Sequence, residues 1–408
     1  MSFQGEKTRV CAIAKDARAV YINRMMEITQ NMEIFPVMNQ KGRSAALAAS
    51  KKVIIKAGTR LLIDRTSIAR LVAGVAKIRE SGRKVLLVTS GAVGMGMETL
   101  KVKSRPRDLA RIQALAAVGQ SALMAIYSEE CKKHGFEAAQ LLLTAADLRN
   151  RERYLNVMNC VNALWENGVL PIVNENDSVS VDELKFGDND TLAGLLGSLT
   201  GSELTVLLTT IDGLKDRDEN GNLRERISVV SKLSDDILGL AGGTDDSKFS
   251  IGGMESKLRA ANIVTSAGGY LWIADGREPD TIEKLLNAED IGTIFLPKGR
   301  RISNHKRWFT FFSKVSGRLT VDSGAVEAVI HAGKSLLPAG VAGVSGEFKR
   351  GDTVEIAGAD GKPFARGLVN YSSNECLKLC GCHSDQIHAA MGSDCEIEMV
   401  HRDNLTLL

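Results

Sequence analysis

Short apolar runs, rich in β-branched residues, alternate with amphipathic segments from residue 52 onward. The segment at residues 67–80, for example, brings its apolar residues to one face at helical spacing. Runs that are apolar on both strand faces and alternate with helices are typical of a parallel sheet covered on both sides. We therefore predict an α/β fold in which helices sandwich a mainly parallel sheet. Its strands are expected within residues 53–58, 84–91, 168–175, 204–210 and 270–276.

After about residue 297 the pattern changes to a basic, aromatic connector, and then to short alternating runs with turn signals such as Asp360-Gly361. Alternation with a period of two residues, interrupted by such turns, predicts a small β-rich domain built from hairpins. The chain is therefore expected to have four parts. These are a poorly ordered or loosely docked N-terminal extension at 1–50, a catalytic domain at 51–297, a basic linker at 298–316 and the β-rich domain at 317–408.

Composition narrows the class of protein. The chain of 408 residues has 52 Lys and Arg against 49 Asp and Glu, so its formal charge of +3 gives no overall electrostatic reason to bind nucleic acid or a membrane surface. No apolar run reaches the roughly 18 residues that a membrane span needs. The 7 cysteines are scattered and odd in number, which favours free thiols in a reducing compartment over a disulfide framework. We therefore expect a cytoplasmic protein.

Polar clusters follow the carboxyl ends of the predicted strands, where ligands of such sheets bind. The first strand runs into Lys56-Ala57-Gly58, in which the lysine can reach a phosphate and the glycine admits backbone N–H groups. A lysine at a strand end is also often structural or merely exposed. The second strand ends in residues 89–96, TSGAVGMG, which form an anion cradle or serve close helix packing. Their spacing matches neither the Rossmann nor the Walker motif.

Residues 173–190 carry an unusual density of carboxylates and amides. A solvated acidic loop is one explanation, and a cap for the helix that follows residue 190 is another. A cap needs only one such side chain, whereas this stretch has Asn174 to Asp177 as well as Asp188 to Asp190. Paired amides and carboxylates can hold the ammonium group of an amino acid and position phosphate-bound Mg²⁺.

A further pair of loops suggests a nucleotide. The fourth strand ends in Thr209-Thr210, and Gly252-Gly253 open another helix with Lys257 one turn in. This combination places backbone donors, the helix dipole and an ammonium group together. Two lysines on separate loops that face an acidic, glycine-lined cleft are typical of phosphoryl transfer, because they neutralise charge on the moving group.

In this order, the motifs resemble the amino acid kinase family, in the form that carries a C-terminal PUA domain, and in particular its glutamate-phosphorylating members. They cover roughly residues 52–408, and NEND followed by GDND is specific to those members rather than to acetylglutamate or aspartate kinases. The motifs are IIKAGT, VTSGAVGMG, LAAVGQSALM, LLLTAADLRNRERYLN, VLPIVNENDSV, FGDND, GGMESKLRAA, HKRWF and SLLPAGV.

The resemblance implies a sandwiched parallel sheet with a small PUA-like barrel, and transfer of the γ-phosphoryl group of ATP to the side-chain carboxylate of L-glutamate. The product would be L-glutamyl 5-phosphate, the first intermediate of proline synthesis. Mg²⁺ would be held mainly by the ATP phosphates, and no general base is needed because the carboxylate is already ionised at pH 7. By motif match, the catalytic residues are Lys56, Lys257 and Asp190. The glutamate-binding residues are Ser90, Gly91, Asp177, Asp188 and Asn189. The ATP-binding residues are Lys56, Gly58, Thr209, Thr210, Ile251, Gly252, Gly253, Met254 and Lys257.

The resemblance also implies feedback inhibition by proline at the loop of residues 178–186, and a homo-oligomer, dimeric or tetrameric. The chain departs from the family pattern on the nucleotide side. Thr210 replaces the usual aspartate, Ser250-Ile251 replace a Gly-Thr pair, and Arg60 replaces a small polar residue. These departures put the contacts to the base and the nucleotide preference in doubt.

PUA domains in other proteins bind RNA, so the alternative function is a catalytically impaired kinase fold that acts in RNA binding or regulation. Residues 317–408 hold 8 basic against 12 acidic residues, and a formal charge of −4 has the wrong sign for a phosphate-binding surface. We expect neither a nucleic-acid nor a membrane partner.

A zinc site is the alternative for the cysteines of this region. Their C-x3-C-x-C-H spacing differs from a paired C-x2-C, so we expect isolated thiols and no direct metal ligands. The residues concerned are Cys376, Cys380, Cys382, His383 and Cys395.

Overall fold

The computed structural model describes residues 42–62, 64–179, 188–218, 222–240, 253–298, 315–383, 386–387 and 395–408. The first 41 residues and most of the expected linker lie outside this set, as do Ile251 and Gly252 and nearly all of the loop expected to bind proline.

The catalytic part is built on one sheet, to which the described residues contribute eight strands. The strands are β1 (Lys52–Ala57), β2 (Lys84–Val88), β3 (Ala138–Leu143), β4 (Leu170–Glu175), β5 (Leu204–Thr209), β8 (Val229–Val230), β9 (Tyr270–Asp275) and β10 (Thr293–Phe295). Their order is β3-β4-β2-β1-β5-β9-β10-β8, and every pair is parallel except β9 with β10. A separate hairpin joins β6 (Lys215–Arg217) to β7 (Leu223–Arg226). The predicted, mainly parallel sheet is confirmed.

Helices cover both faces of this sheet. They are α1 (residues 42–49), α2 (Arg65–Glu80), α3 (Ala92–Thr99), α4 (Leu109–Lys133), α5 (Ala145–Arg149), α6 (Arg151–Glu166), α7 (Asn189–Thr200), α8 (Asp235–Gly239), α9 (Met254–Ser266) and α10 (Thr281–Leu286). Successive residues of β1 point to opposite faces. Ile54 therefore joins the core beneath α6, α7 and α9, and Ile55 joins the core beneath α2 and α4. By the same alternation Lys56 lies on the face that carries α7 and α9.

Helix α1 lies within the segment expected to be an N-terminal extension, and it packs into the catalytic core. Leu47 is buried with the α2 side of the sheet. Arg43 is fully buried, with its Nη2 2.7 Å from Asp290 Oδ1 and its guanidinium 5.4 Å from the centre of the Trp272 ring. A buried guanidinium needs such partners. The hydrophobic pattern did not predict this helix, because a helix of this length has too few apolar residues to show a clear helical periodicity.

In the C-terminal domain, five strands of the described residues form a sheet in the order β12-β11-β13-β14-β15. Its strands are β11 (Val315–Val321), β12 (Val341–Gly346), β13 (Thr353–Ala357), β14 (Pro363–Leu368) and β15 (Leu405–Leu407), with helices α11 (Ser323–Ile330) and α12 (Ser373–Leu379). Among these described strands, β11 and β13 are parallel and the other neighbouring pairs are antiparallel. The turn predicted at Asp360-Gly361 joins β13 to β14, with Gly361 at φ +73°. The β-rich, hairpin-containing character of this domain is confirmed.

The cysteines of the C-terminal domain lie in or beside its core. Cys376 is buried, with its Sγ 3.1 Å from Met399 Sδ, and burial raises the pKa of this thiol to about 12. No group of three or more His, Cys, Asp or Glu among the described residues could hold a metal ion. Cys380, Cys382 and Cys395 are half-buried and pack against the same core as Cys376.

Candidate active site

A buried carboxylate between two lysines lies at the carboxyl edge of the sheet. Asp190, in the first turn of α7, is fully buried. Its Oδ1 is 2.6 Å from Lys56 Nζ at the end of β1, and its Oδ2 is 2.9 Å from Lys257 Nζ in the first turns of α9. The structure thus brings together the three predicted catalytic residues, one carboxylate oxygen to each lysine.

The electrostatics of this cluster keep Asp190 ionised. Burial by itself would raise the pKa of the carboxyl, but the Lys56 and Lys257 ammonium groups outweigh burial and lower the pKa below its ordinary value. The two lysines are themselves almost entirely buried. Both ammonium groups are therefore held in fixed positions by one negative charge, in a place where water screens little.

Local capping explains why Asp190 points inward. Asp188 is the N-cap of α7, and its Oδ1 accepts a hydrogen bond of 2.8 Å from the Thr191 N–H. Asn189 and Asp190 therefore occupy the first turn, at the positive end of the helix dipole. One residue of the GDND motif caps the helix and the next two face the site. The predicted glutamate contact of Asp188 stays a prediction.

Asn189 joins the three motif loops that the sequence indicated for the substrate. Its Nδ2 is 2.7 Å from Thr89 O, 2.8 Å from Ser90 Oγ and 3.0 Å from Asn174 Oδ1. The amide has two hydrogens for these three acceptors. Its Oδ1 is buried and has no hydrogen-bond partner among the described residues. An unpartnered acceptor at this place suits an ammonium group.

Side chains outside the predicted catalytic, glutamate-binding and ATP-binding sets support this network from behind. Asn174 Nδ2 donates to Gln120 Oε1 on α4 at 2.9 Å, and Tyr127 Oη lies 2.8 Å from Thr89 Oγ1. Burial raises the pKa of Tyr127, so its hydroxyl stays neutral. The signal was present in the sequence, because Asn174 and Gln120 stand within the motifs VLPIVNENDSV and LAAVGQSALM. Their contact could not be seen without the fold.

The glycine loop after β2 has two roles. Gly91 is the N-cap residue of α3 at φ +98°, a backbone conformation that favours glycine and turns the chain directly after Ser90. Gly96 serves packing, because an added Cβ would lie 2.0 Å from the carbonyl oxygen of Leu115 on α4. Around Gly94 an added Cβ would meet nothing within 4 Å. Close helix packing therefore explains Gly96, and the anion cradle at this loop stays a prediction.

Asp177 lies in a turn that follows β4, next to the segment outside the described residues. Its backbone N–H donates to Glu175 O at 3.0 Å, and its side chain is half-buried. It stands two residues beyond the last residue of β4, at the same edge of the sheet as Lys56.

The predicted nucleotide residues that the structure describes lie along the ends of β1 and β5 and in the first turns of α9. The Gly58 N–H donates to Leu208 O at 3.3 Å, and a Cβ on Gly58 would lie 3.6 Å from Lys56 Nζ. Thr209 and Thr210 are partly exposed at the end of β5. Gly253 is the exposed N-cap residue of α9, and Met254 opens the helix. Arg60 is exposed in the turn after β1.

Comparison with known proteins places this arrangement in a family. Residues 51–275 match the amino acid kinase family, and residues 317–391 match the PUA domain. The chain is 43% identical to a glutamate 5-kinase of Desulfotalea psychrophila over 366 residues, which are 88% of this chain and 97% of that protein. It is 42% identical to a glutamate 5-kinase of a Thermoanaerobacter species over 364 residues, 88% of this chain and 98% of that one. The glutamate 5-kinase of Thioalkalivibrio sulfidiphilus is 42% identical over 369 residues, 89% of this chain and 98% of that one. The chain therefore belongs to the amino acid kinase family, as a glutamate 5-kinase-type member with a C-terminal PUA domain.

Proposed function

We propose that the chain catalyses transfer of the γ-phosphoryl group of ATP to the side-chain carboxylate of L-glutamate, giving L-glutamyl 5-phosphate, the first step of proline synthesis. The observation that carries the proposal is the buried Lys56–Asp190–Lys257 cluster beside the Asn189 network, in a chain more than 40% identical to proteins named glutamate 5-kinase.

The cluster suits phosphoryl transfer without a general base. A glutamate carboxylate is ionised at neutral pH and can attack directly. The main barrier is then the positioning of two anions and the charge that spreads over the phosphoryl oxygens. Lys56 and Lys257 supply positive charge from two sides, and Asp190 holds both ammonium groups in place beforehand. Such pre-organised charge is usually the largest single contribution to catalysis.

Mg²⁺ would add charge neutralisation on the phosphates. Both oxygens of Asp190 are engaged by lysines, so this carboxylate is not open to a metal ion. That arrangement fits Mg²⁺ that arrives bound to the ATP phosphates, with no direct ligand from the catalytic cluster.

The glutamate and ATP are assigned to opposite sides of the cluster. On the β2–β4 side, Asn189 Oδ1 offers an acceptor to the substrate ammonium, and Ser90, Gly91, Asp177 and Asp188 complete the proposed glutamate site. On the β5–α9 side, the proposed ATP contacts among the described residues are Gly58, Thr209, Thr210, Gly253, Met254 and both lysines. The proposal also includes Ile251 and Gly252, which lie outside the described residues. Because the departures at Thr210 and Arg60 lie only on the second side, they bear on nucleotide preference and leave the chemistry intact.

Proline and a second copy of the chain are the further proposed partners. Proline would compete with glutamate through the loop of residues 178–186, most of which lies outside the described residues. Initial rates that do not change in excess proline would remove this part of the proposal. For self-association, α4 offers a surface. One face of α4 packs on α3 through Gly119, whereas much of the rest of this helix is not buried. By length and composition alone, α4 is also apolar enough to span a membrane. Its exposed positions include Ala114, Ala117, Val118 and Ala125, a face of small apolar residues suited to another helix.

The test of the function uses hydroxylamine to trap an acyl phosphate formed from Mg-ATP and L-glutamate, with ADP release measured in parallel. We expect glutamate-dependent hydroxamate from the natural chain. Lys257→Ala should reduce it by at least a hundredfold, since a charge placed on the transition state is lost. Lys284→Ala is the matched control, because Lys284 pairs with Asp280 on the surface of α10. No hydroxamate with the natural chain, or an equal rate in the Lys257 variant, would contradict the proposal.

A further inference from the structure

The hydroxyl of Ser256 touches the catalytic cluster but has no part in the function proposed above. Ser256 is buried in the first turn of α9, one residue before Lys257. Its Oγ is 3.1 Å from Asp190 Oδ2 and 2.9 Å from the carbonyl oxygen of Gly253. Both neighbours are acceptors and a hydroxyl has a single proton. Ser256 therefore donates to one of them at a time.

The two acceptors lie in different parts of the site. Gly253 is the N-cap residue of α9, on the proposed nucleotide side, and a serine that donates to the carbonyl three residues before it is an ordinary arrangement within a helix. Asp190 Oδ2 is the oxygen that also binds Lys257 Nζ, at 2.9 Å. Ser256 is thus a second donor for the oxygen that Lys257 occupies.

The charges around Asp190 make that second donor consequential. Lys56 and Lys257 are the charged groups that lower the pKa of this carboxyl among the described residues. In the transition state Lys257 must also face the phosphoryl oxygens, which weakens its attraction for Oδ2. A buried carboxylate oxygen that loses a donor is destabilised, since no water replaces it. Ser256 can keep this oxygen satisfied by rotating its hydroxyl, and the proton stays on Oγ throughout.

We propose that Ser256 is a positioning residue, whose hydroxyl turns from the Gly253 carbonyl to Asp190 Oδ2 as Lys257 directs its ammonium group to the transferred phosphoryl group. The inference rests on the proposed catalytic roles of Lys56, Asp190 and Lys257. It assigns to Ser256 a contact that matters most in the transition state. Loss of the hydroxyl should therefore change kcat and leave substrate binding nearly unchanged.

The test compares Ser256→Ala with Ser256→Thr in the full chain, by hydroxamate formation and ADP release. Ser256→Ala should lower kcat roughly ten- to a hundredfold, the value of a hydrogen bond to a charged group, with KM for ATP and glutamate within about twofold. Ser256→Thr keeps the hydroxyl and should restore the rate. Binding of AMP-PNP, measured by calorimetry, should be the same in all three proteins.

Thr265→Val is the matched control, because Thr265 is a buried residue of the same helix whose hydroxyl donates to Ala261 O at 2.8 Å, far along α9 from the lysine. It should keep the natural kcat. If Ser256→Ala does not fold, Ser256→Cys retains the volume with only a weak S–H donor and should show the same loss.

Three outcomes would overturn the inference. One is a natural kcat in Ser256→Ala, and another is a loss that threonine does not restore. The third is a rise in KM that accounts for the whole effect. Failure of the proposed function gives a different result, because the natural chain itself would then form no glutamate-dependent hydroxamate.

Discussion

At the residue scale, the site depends on the buried carboxylate of Asp190, which is stable there because the fold places two lysines beside it. Asp190 has lost its contact with water, and two ammonium groups replace that contact. Removal of one partner from a buried ion pair costs far more than the pair contributes, because an uncompensated charge remains. Asp190 therefore couples the stability of the fold to the chemistry of the site.

Asp190→Asn should lower both stability and activity. The neutral amide would leave two buried ammonium groups close together, so we expect the free energy of unfolding to fall by about 3 kcal/mol or more. The value of kcat should fall at least a hundredfold, because the lysines are no longer held. Urea unfolding and the hydroxamate assay measure the two effects.

The control for that substitution is Asp280→Asn, whose carboxylate pairs with Lys284 on the surface and which should change neither quantity. If Asp190→Asn has the same free energy of unfolding as the natural chain, the Asp190 carboxylate is not needed to compensate the two buried ammonium groups.

The ionisation of Asp190 should also make the free energy of unfolding depend on pH. The pKa of Asp190 is lower in the folded chain than its ordinary value, so the carboxylate stabilises the fold above the unfolded pKa of about 4. That contribution is lost as the pH falls through the folded pKa. The difference in free energy of unfolding between the natural chain and Asp190→Asn should be constant above about pH 5 and shrink on acidification. Urea titrations at several pH values test this, and a difference that grows in acid would contradict it.

At the scale of elements, the contact between α3 and α4 positions the Asn189 network, to which we assign the substrate. An added Cβ at Gly119 would lie 1.8 Å from the Ala92 carbonyl oxygen, so the two helices touch through their backbones. Helix α3 begins at Ala92, two residues after Ser90, and α4 carries Gln120 and Tyr127. The separation of these helices therefore sets the position of the side chains that hold Asn189.

Gly119→Ala should push α3 and α4 apart. Overpacking of this kind costs about 1–3 kcal/mol of unfolding free energy. Because the network shifts with the helices, KM for glutamate should rise more than KM for ATP. Gly94→Ala is the control, since nothing lies within 4 Å of the added Cβ and alanine favours a helix by up to about 1 kcal/mol. Equal stability in the two variants, measured by thermal unfolding, would contradict the backbone contact.

At the scale of the whole molecule, the exposed face of α4 would link the proposed self-association to the site. The helix presents Val118 to the outside, and residues of its other face hold Asn174 and Thr89. A partner seated on the outer face would stabilise the helix that supports the substrate network. Self-association and glutamate binding are thus expected to be coupled.

Val118→Glu should weaken self-association, because it introduces a charge into an apolar contact. Light scattering after size exclusion should show a smaller species than the natural chain, with a raised KM for glutamate. Leu155→Glu, at an exposed position on α6, is the control and should keep the natural mass. An unchanged mass in the Val118 variant would place the interface elsewhere or remove it.

The sequence by itself determined the class of fold and the kind of chemistry. Alternation along β1 places Ile54 and Lys56 on one face, and apolar runs between helices predict the parallel sheet, since both signals depend on near neighbours. Motif order then predicted which residues meet a phosphate and which meet an amino acid, and these contacts stay predictions. The cap at Asp188 was foreseen only as one of several possible roles, because capping depends on backbone geometry.

Only the tertiary structure decided which atoms meet. Lys257 and Asp190 are 67 residues apart, and Asn174 and Gln120 are 54 apart, so their contacts follow from strand order and helix packing rather than from local spacing. Ser256 stands next to a lysine in the sequence, yet its second acceptor belongs to another helix. Helix α1 likewise needs Asp290 and Trp272 to bury Arg43. The reason is general: periodicity specifies which face a side chain occupies, whereas its partner across the core is specified only when distant segments pack together.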